Sequence, residues 1–233
     1  MTANTGTGRI LAISDIHACY TTFMTLIEQL RLQRNDNLFI TGDMINRGKD
    51  TKKLIKTLIA LKKDGFHIFP TRGNHEEELI SAFTSQSQEL VAIYTKYLAL
   101  TSKTHPDKWL IKKDGTMKSK YFAFFTELPY FYSVENVYFV HGGFNFSLTN
   151  PFEDTHSMVH YRKEYNEQLL PPNMRIVHGH TPTPLGVIEQ SVANNSRVIN
   201  IDNGCVMKKS VNFGNLVCLD VRAMELFVQP NVE

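Results

Sequence analysis

Five short apolar runs in this chain each end in side chains of metal-ligating chemistry, and that pairing restricts the fold more than any other feature. The runs are Ile10-Leu11-Ala12-Ile13, Leu38-Phe39-Ile40, His67-Ile68-Phe69, Val137-Tyr138-Phe139-Val140 and Arg175-Ile176-Val177. Their tips are Ser14-Asp15-Ile16-His17, Gly42-Asp43, Gly73-Asn74-His75-Glu76, His141-Gly142-Gly143 and His178-Gly179-His180. Short apolar runs of this kind read as buried strands. In an open α/β sheet the functional groups lie outside the carboxyl ends of the strands, where residues distant in sequence meet. The five tips are therefore expected at one sheet edge.

The early part of the chain alternates strand and helix, the pattern of right-handed parallel crossovers. A first helix is predicted over Tyr20–Leu30, with Phe23, Leu26, Ile27 and Leu30 at helical spacing. A second, at about 50–63, sets Leu54, Ile55, Leu58, Ile59 and Leu61 among lysines, which read as a solvated face. Residues from about 77 to 128 carry a helical pattern rich in Tyr, Phe and Lys, broken at Lys103-Thr104-His105-Pro106-Asp107. This stretch is expected to be a helical cap, with Trp109, Tyr94, Tyr97, Tyr121 and Phe122 as its small core. A further helix at about 157–170 precedes strands at 175–178, 198–201, 216–221 and 225–228, expected to form a second sheet.

Composition removes several classes of function. A chain of 233 residues with 42% apolar content can build one packed domain, expected over 1–233 with a loose tail at 1–8. A net charge of +2 gives no field for nucleic acid or a membrane, and no apolar stretch is long enough to span a bilayer. The N-terminus lacks the apolar centre of a secretory signal, so a cytoplasmic location is expected. Cys19, Cys205 and Cys218 are odd in number and unpatterned, which favours reduced thiols.

The tips carry a resemblance. Asp15-Ile16-His17-Ala18 resembles an Asp-x-His-Gly segment, Gly42-Asp43-Met44-Ile45-Asn46-Arg47-Gly48 resembles Gly-Asp-x-x-Asp-Arg-Gly, and Arg72-Gly73-Asn74-His75-Glu76 matches Arg-Gly-Asn-His-Glu. These motifs, in this order, are similar to those of the phosphoprotein phosphatase family of metallophosphoesterases, especially small bacterial and phage serine/threonine phosphatases. The resemblance implies an α/β calcineurin-like fold, a double β-sandwich flanked by helices. It implies two divalent metal ions, with Mn²⁺ expected and Fe or Zn as alternatives. Asp15, His17 and Asp43 are expected on the first, and Asp43, Asn74, His141 and His180 on the second, with Asp43 shared. Such a mixed set of carboxylate, imidazole and amide oxygen suits first-row cations.

Two metals would acidify a water for in-line attack on phosphorus. Arg47 and Arg162 are the expected forks on the phosphoryl oxygens, with Asn74 and His75 also facing substrate. His75 is the expected general acid, and Asn46 its orienting partner in place of the usual aspartate. An amide can position the ring but supplies no charge to raise its pKa, so the acid is expected to be weakened. The expected substrate is a phosphorylated protein or small phosphate ester. Symmetrical dinucleoside tetraphosphate hydrolases are the alternative, since they too commonly lack that aspartate; Glu76 and the short stretch before His180 oppose them. A metal-binding pseudo-phosphatase is the third reading. Two turn positions, Ser14 and Ala18, stand where glycine is usual in the resembled family. His178 is most simply structural, Glu76 reads equally as a helix cap or a catalytic group, and Asp202-Asn203-Gly204 is most simply a tight turn.

Overall fold

The computed structural model describes every residue except Asn4, Gly6, Gln86, Thr101, Ser102 and Thr104, and the side chain of Asp107. Parts of the expected tail and of the expected break in the cap therefore lie outside the described residues.

Two mixed sheets pack face to face. The first contains β1 (Ile10–Ile13), β2 (Asn37–Ile40) and β3 (His67–Pro70), joined by α1 (Tyr20–Leu30) and α2 (Thr51–Lys63). With β8 (Asn215–Asp220) and β9 (Glu225–Pro230) it runs in the order β3-β2-β1-β8-β9. The second contains β4 (Phe131–Val134), β5 (Val137–Val140), β6 (Arg175–His178) and β7 (Val198–Asn200) in that order.

Strands of the first sheet are apolar on both faces because both faces are covered. Leu11, Ile13, Leu38 and Ile40 point toward α1 and α2, where Phe23, Leu26, Leu54, Ile55 and Leu58 are buried. Ile10, Ala12 and Phe39 point the other way into an inter-sheet core with Phe139, Val177 and Ile199. At its centre the Phe39 and Phe139 rings stack with centroids 4.0 Å apart. Lys53 and Lys56 on α2 are exposed, in keeping with a solvated face.

Several expectations needed correction. The strands at 216–221 and 225–228 do not join the second sheet: β8 pairs antiparallel with β1, closing the edge that the parallel strands would leave open. The helix expected at 157–170 is a short α6 (Thr155–His160) followed by an irregular stretch, and α7 (Leu185–Ala193) and β4 were not anticipated. The tail is not wholly loose, since Thr2 bridges Ser133 and the Ala3 N–H donates to the Ser133 carbonyl (3.1 Å) along β4. Between β3 and β4 lie α3 (Asn74–Thr84), α4 (Gln88–Leu100) and α5 (Ser119–Thr126). Trp109 packs there edge-on to Tyr121, with ring centroids 5.0 Å apart. Among the described residues no helix is long and apolar enough to cross a membrane.

Candidate metal centre

The tips converge, although not on one sheet edge. Those after β1, β2 and β3 come from the first sheet and those after β5 and β6 from the second, so the site sits where the carboxyl ends of both sheets meet. The backbone there is bent sharply: Asp15, His17, Asp43 and His180 all have φ between 45° and 73°. Ala18 shares this left-handed conformation (φ 57°), where the missing glycine would have been less strained.

Two glycines let the loops close. A Cβ on Gly179 would overlap Ser14 Oγ and Asp15 Oδ2, and one on Gly73 would overlap Asp43. Across the first of these contacts the His180 N–H donates to Asp15 Oδ2 (3.0 Å), tying the two sheets together.

Donor atoms of Asp43, His141 and His180 lie within 4.8 Å of one another, as do those of His17, Asp43 and His75, and Asp43 belongs to both groups. His141 Nε2 is 2.9 Å from His180 Nδ1, 3.1 Å from Asn74 Oδ1 and 3.4 Å from Asp43 Oδ1. His17 Nε2 is 3.6 Å from Asp43 Oδ2 and 3.9 Å from Asp15 Oδ1. The structure thus brings together all six expected ligands. It also draws His75 into the group with His17 and Asp43, with Nε2 3.8 Å from Asp43 Oδ2.

These contacts fit cations. His141 Nδ1 lies 2.8 Å from the Thr41 carbonyl and His17 Nδ1 3.1 Å from the Ile45 carbonyl. Each Nδ1–H therefore donates to a carbonyl and leaves the Nε2 lone pair turned toward carboxylates and another imidazole. Lone pairs facing one another repel unless a cation sits between them. Burial lowers the pKa of His17, His141 and, to about 2, His180, so the rings are neutral. Asp43 is pushed well up by burial and by the charges of Asp15 and Glu76, a strain that a cation would relieve.

Glu76 holds the frame. Fully buried, its carboxylate accepts from the N–H groups of Asp43 (2.9 Å), Met44 (2.9 Å), Ile45 (3.2 Å) and Gly73 (3.0 Å). It joins the loop after β2 to the N-terminus of α3; burial pushes its pKa up to about 7 against those four donors.

Arg47 and Arg162 are exposed and line the small polar cavity at the site. Arg162 Nη1 is 3.4 Å from both the His180 carbonyl and Thr181 Oγ1. Asp202, read from sequence as part of a turn, also lines this cavity and is buried. Its carboxylate accepts from the Gly204 N–H at 2.7 Å, so it serves the turn as well. Tyr94 was assigned to the cap core, but its hydroxyl donates to the His75 carbonyl (2.8 Å) and accepts from Asn46 Nδ2 (2.8 Å). Helical spacing in α4 offered no sign of that reach. His178 contacts the Gly179 carbonyl (3.2 Å) and belongs to neither donor group.

A fold of this kind with this donor set defines a metallophosphoesterase. The chain belongs to the calcineurin-like phosphoesterase family, whose sequence model matches residues 8–210, and it is a hydrolase of that type. The symmetrical bis(5'-nucleosyl)-tetraphosphatase of Wigglesworthia glossinidia brevipalpis is 38% identical over 69 residues, 29% of this chain and 24% of that relative. The chain thus matches about a quarter of that relative's length. An asymmetrical bis(5'-nucleosyl)-tetraphosphatase of Oceanobacillus iheyensis is 25% identical over 89% of this chain and 86% of its own length. Among solved structures, one described as a diadenosine tetraphosphatase superposes with a TM-score of 0.65 at 17% identity, covering 99% of this chain and 96% of its own. A serine/threonine phosphatase from Saccharomyces cerevisiae with similarity to human phosphatase PP5 gives 0.64 at 15% identity, over 97% and 80%. At these identities the superpositions show the fold alone.

Proposed function

We propose that the chain hydrolyses phosphoric anhydrides with good leaving groups, and that dinucleoside tetraphosphates are its substrate class. This reverses the order expected from sequence, where protein serine/threonine phosphatase stood first. The carrying observation is the Asn46 amide at 2.8 Å from His75 Nδ1, where a carboxylate would favour the protonated ring that can act as an acid. Burial, with the charge of Arg47, lowers His75 to about 3, so the ring is neutral near pH 7. A nucleotide leaving from an anhydride departs as a weak base and needs little protonation; a serine alkoxide needs much. The named tetraphosphatase relatives support the same reading.

Asp15, His17, Asp43, Asn74, His141 and His180 would hold two divalent ions, which when bound would supply an acidified water and positive charge for the phosphoryl oxygens. The remaining chemistry falls to the chain's own groups. Arg47 and Arg162 stand at the cavity to grip phosphoryl oxygens and stabilise charge as it spreads. His75, turned by Asn46, presents Nε2 toward the site and can hydrogen-bond a departing oxygen.

The protein phosphatase reading is favoured by Glu76, which completes the Arg-Gly-Asn-His-Glu match, and by the short stretch before His180. Turnover of diadenosine tetraphosphate and of a phosphoserine peptide, each with Mn²⁺, separates the two. Higher kcat/KM on the tetraphosphate supports the proposal; higher kcat/KM on the peptide overturns it.

A further inference from the structure

A second cavity of about 290 Å³ adjoins the catalytic one, and Arg47 and Val206 line both. Lys49, Lys103 and Lys208 also line it, so four cations face one cavity that holds a single carboxylate side chain, Glu233. They come from three separate parts of the chain. Lys49 follows Arg47 in the loop before α2, Lys208 follows the Asp202-Asn203-Gly204 turn, and Lys103 comes from the cap. The Lys103 N–H donates to the Lys49 carbonyl (2.7 Å), which fixes the cap against the rim.

Part of this charge is already engaged. Lys103 Nζ pairs with Asp50 (2.8 Å) and Lys208 Nζ donates to the main-chain oxygen of Glu233 (2.6 Å). The Glu233 side chain is committed to the Thr21 and Thr22 N–H groups at 2.6 and 3.1 Å. Among the described residues, no hydrogen bond or ion pair engages the Lys49 ammonium or the Arg47 guanidinium. Like charges thus border a concave surface that continues from the catalytic cavity.

We propose that this cavity is an anion subsite for the phosphates that trail from the phosphoryl group under attack, so that the enzyme selects a polyphosphate chain over a monoester. The inference rests on the anhydride reading above and adds residues to it. Lysines suit this task because a compact ammonium on a flexible stem can follow a mobile chain of oxygens. A simple monoester has no charge to place there, and its hydrolysis should be indifferent to these lysines.

The test compares the wild-type, Lys49→Ala and Lys49→Ala/Lys208→Ala proteins, each loaded with Mn²⁺. Lys49 is exposed and its side chain bonds nothing described, so its loss leaves the fold intact. The readouts are KM for diadenosine tetraphosphate, kcat/KM for 4-nitrophenyl phosphate, and Ki of inorganic tripolyphosphate against the aryl substrate. The double variant should raise the first and third about tenfold, leave the second within about twofold, and recover with Lys49→Arg. An unchanged Ki, or an equal loss on the aryl phosphate, overturns the subsite. Absence of any tetraphosphate turnover would sink the anhydride reading, while the tripolyphosphate Ki would still decide the subsite.

Discussion

Asn46 Nδ2 lies 2.8 Å from His75 Nδ1 and 2.8 Å from the Tyr94 hydroxyl, which itself donates to the His75 carbonyl. An amide N–H facing Nδ1 selects the tautomer that carries its proton on Nε2, and brings no negative charge to favour an imidazolium. The opposite end of the amide, Oδ1, is buried without a partner among the described residues.

Asn46→Asp should therefore change selectivity more than it changes overall rate. A carboxylate there would raise the His75 pKa and supply an acid, increasing kcat on a phosphoserine peptide about 10- to 100-fold. Hydrolysis of 4-nitrophenyl phosphate, with its good leaving group, should move less than about threefold. The same ratio of the two rates in both proteins would remove this account of His75.

Glu76→Ala leaves four buried N–H groups without an acceptor and should cost about 3 to 5 kcal/mol. Urea unfolding of the metal-free proteins measures it. Glu76→Gln keeps one acceptor oxygen and should lose less. A midpoint for Glu76→Ala within error of wild type would show that water satisfies these donors instead.

At Gly179 the expected failure is steric. Its Cβ would strike Ser14 and Asp15, so Gly179→Ala should lose about 1 to 3 kcal/mol and much of its metal affinity. Gly186, in α7, has open space around it, and Gly186→Ala should stabilise by about 0.5 to 1 kcal/mol. Thermal melts and metal titration of the two variants should diverge in opposite directions; parallel behaviour would argue against close approach of the two loops.

Chelation should abolish hydrolysis of every substrate, and Mn²⁺ should restore it. Asp43 belongs to both donor groups, so Asp43→Asn should reduce bound metal below one ion per chain. His180→Ala should spare the ion on the other side. Metal analysis after gel filtration gives the counts, and two retained ions in Asp43→Asn would exclude a shared carboxylate.

A pH effect on stability is expected far from the site. The Asp36 carboxylate accepts from the Arg9 guanidinium (2.6 Å) and from the N–H groups of Arg9 (3.1 Å) and Gln33 (2.9 Å). Burial alone would raise its pKa, but these donors and the Arg9 charge hold it below the ordinary value of 3.8. With the folded pKa depressed, the stabilisation is present in full above the unfolded value and lost as pH falls through the folded one. Asp36→Asn should lose about 1 to 3 kcal/mol at pH 7 and show a shallower decline below about pH 4. Parallel stability curves for the two proteins would contradict this.

The strands nearest the site were legible because burial on both faces leaves continuous apolar runs, as at Leu11, Phe39 and Phe139. Helices α1 and α2 were legible from their apolar stripes. The partner of β8 was not, since a continuous apolar run such as Leu216-Val217-Cys218-Leu219 reads alike in either sheet. Helix α7 was missed because its run from Leu185 to Val192 is short and carries a glycine, Gly186, in its first turn. The reach of Tyr94 to Asn46 was hidden for another reason: 48 residues separate them, and only the docking of α4 on α3 joins them.

Residue chemistry alone determined which side chains can bind cations and phosphate, because carboxylate, imidazole and guanidinium carry that capacity wherever they stand. It also set the missing charge at Asn46, which no fold can restore. Tertiary structure decided that two sheets rather than one contribute the tips, that Glu76 fastens the loops after β2 and β3, and that lysines from three distant segments border a single cavity. Those relations depend on which surfaces pack together, and packing is settled by the whole apolar core at once rather than by any local stretch of chain.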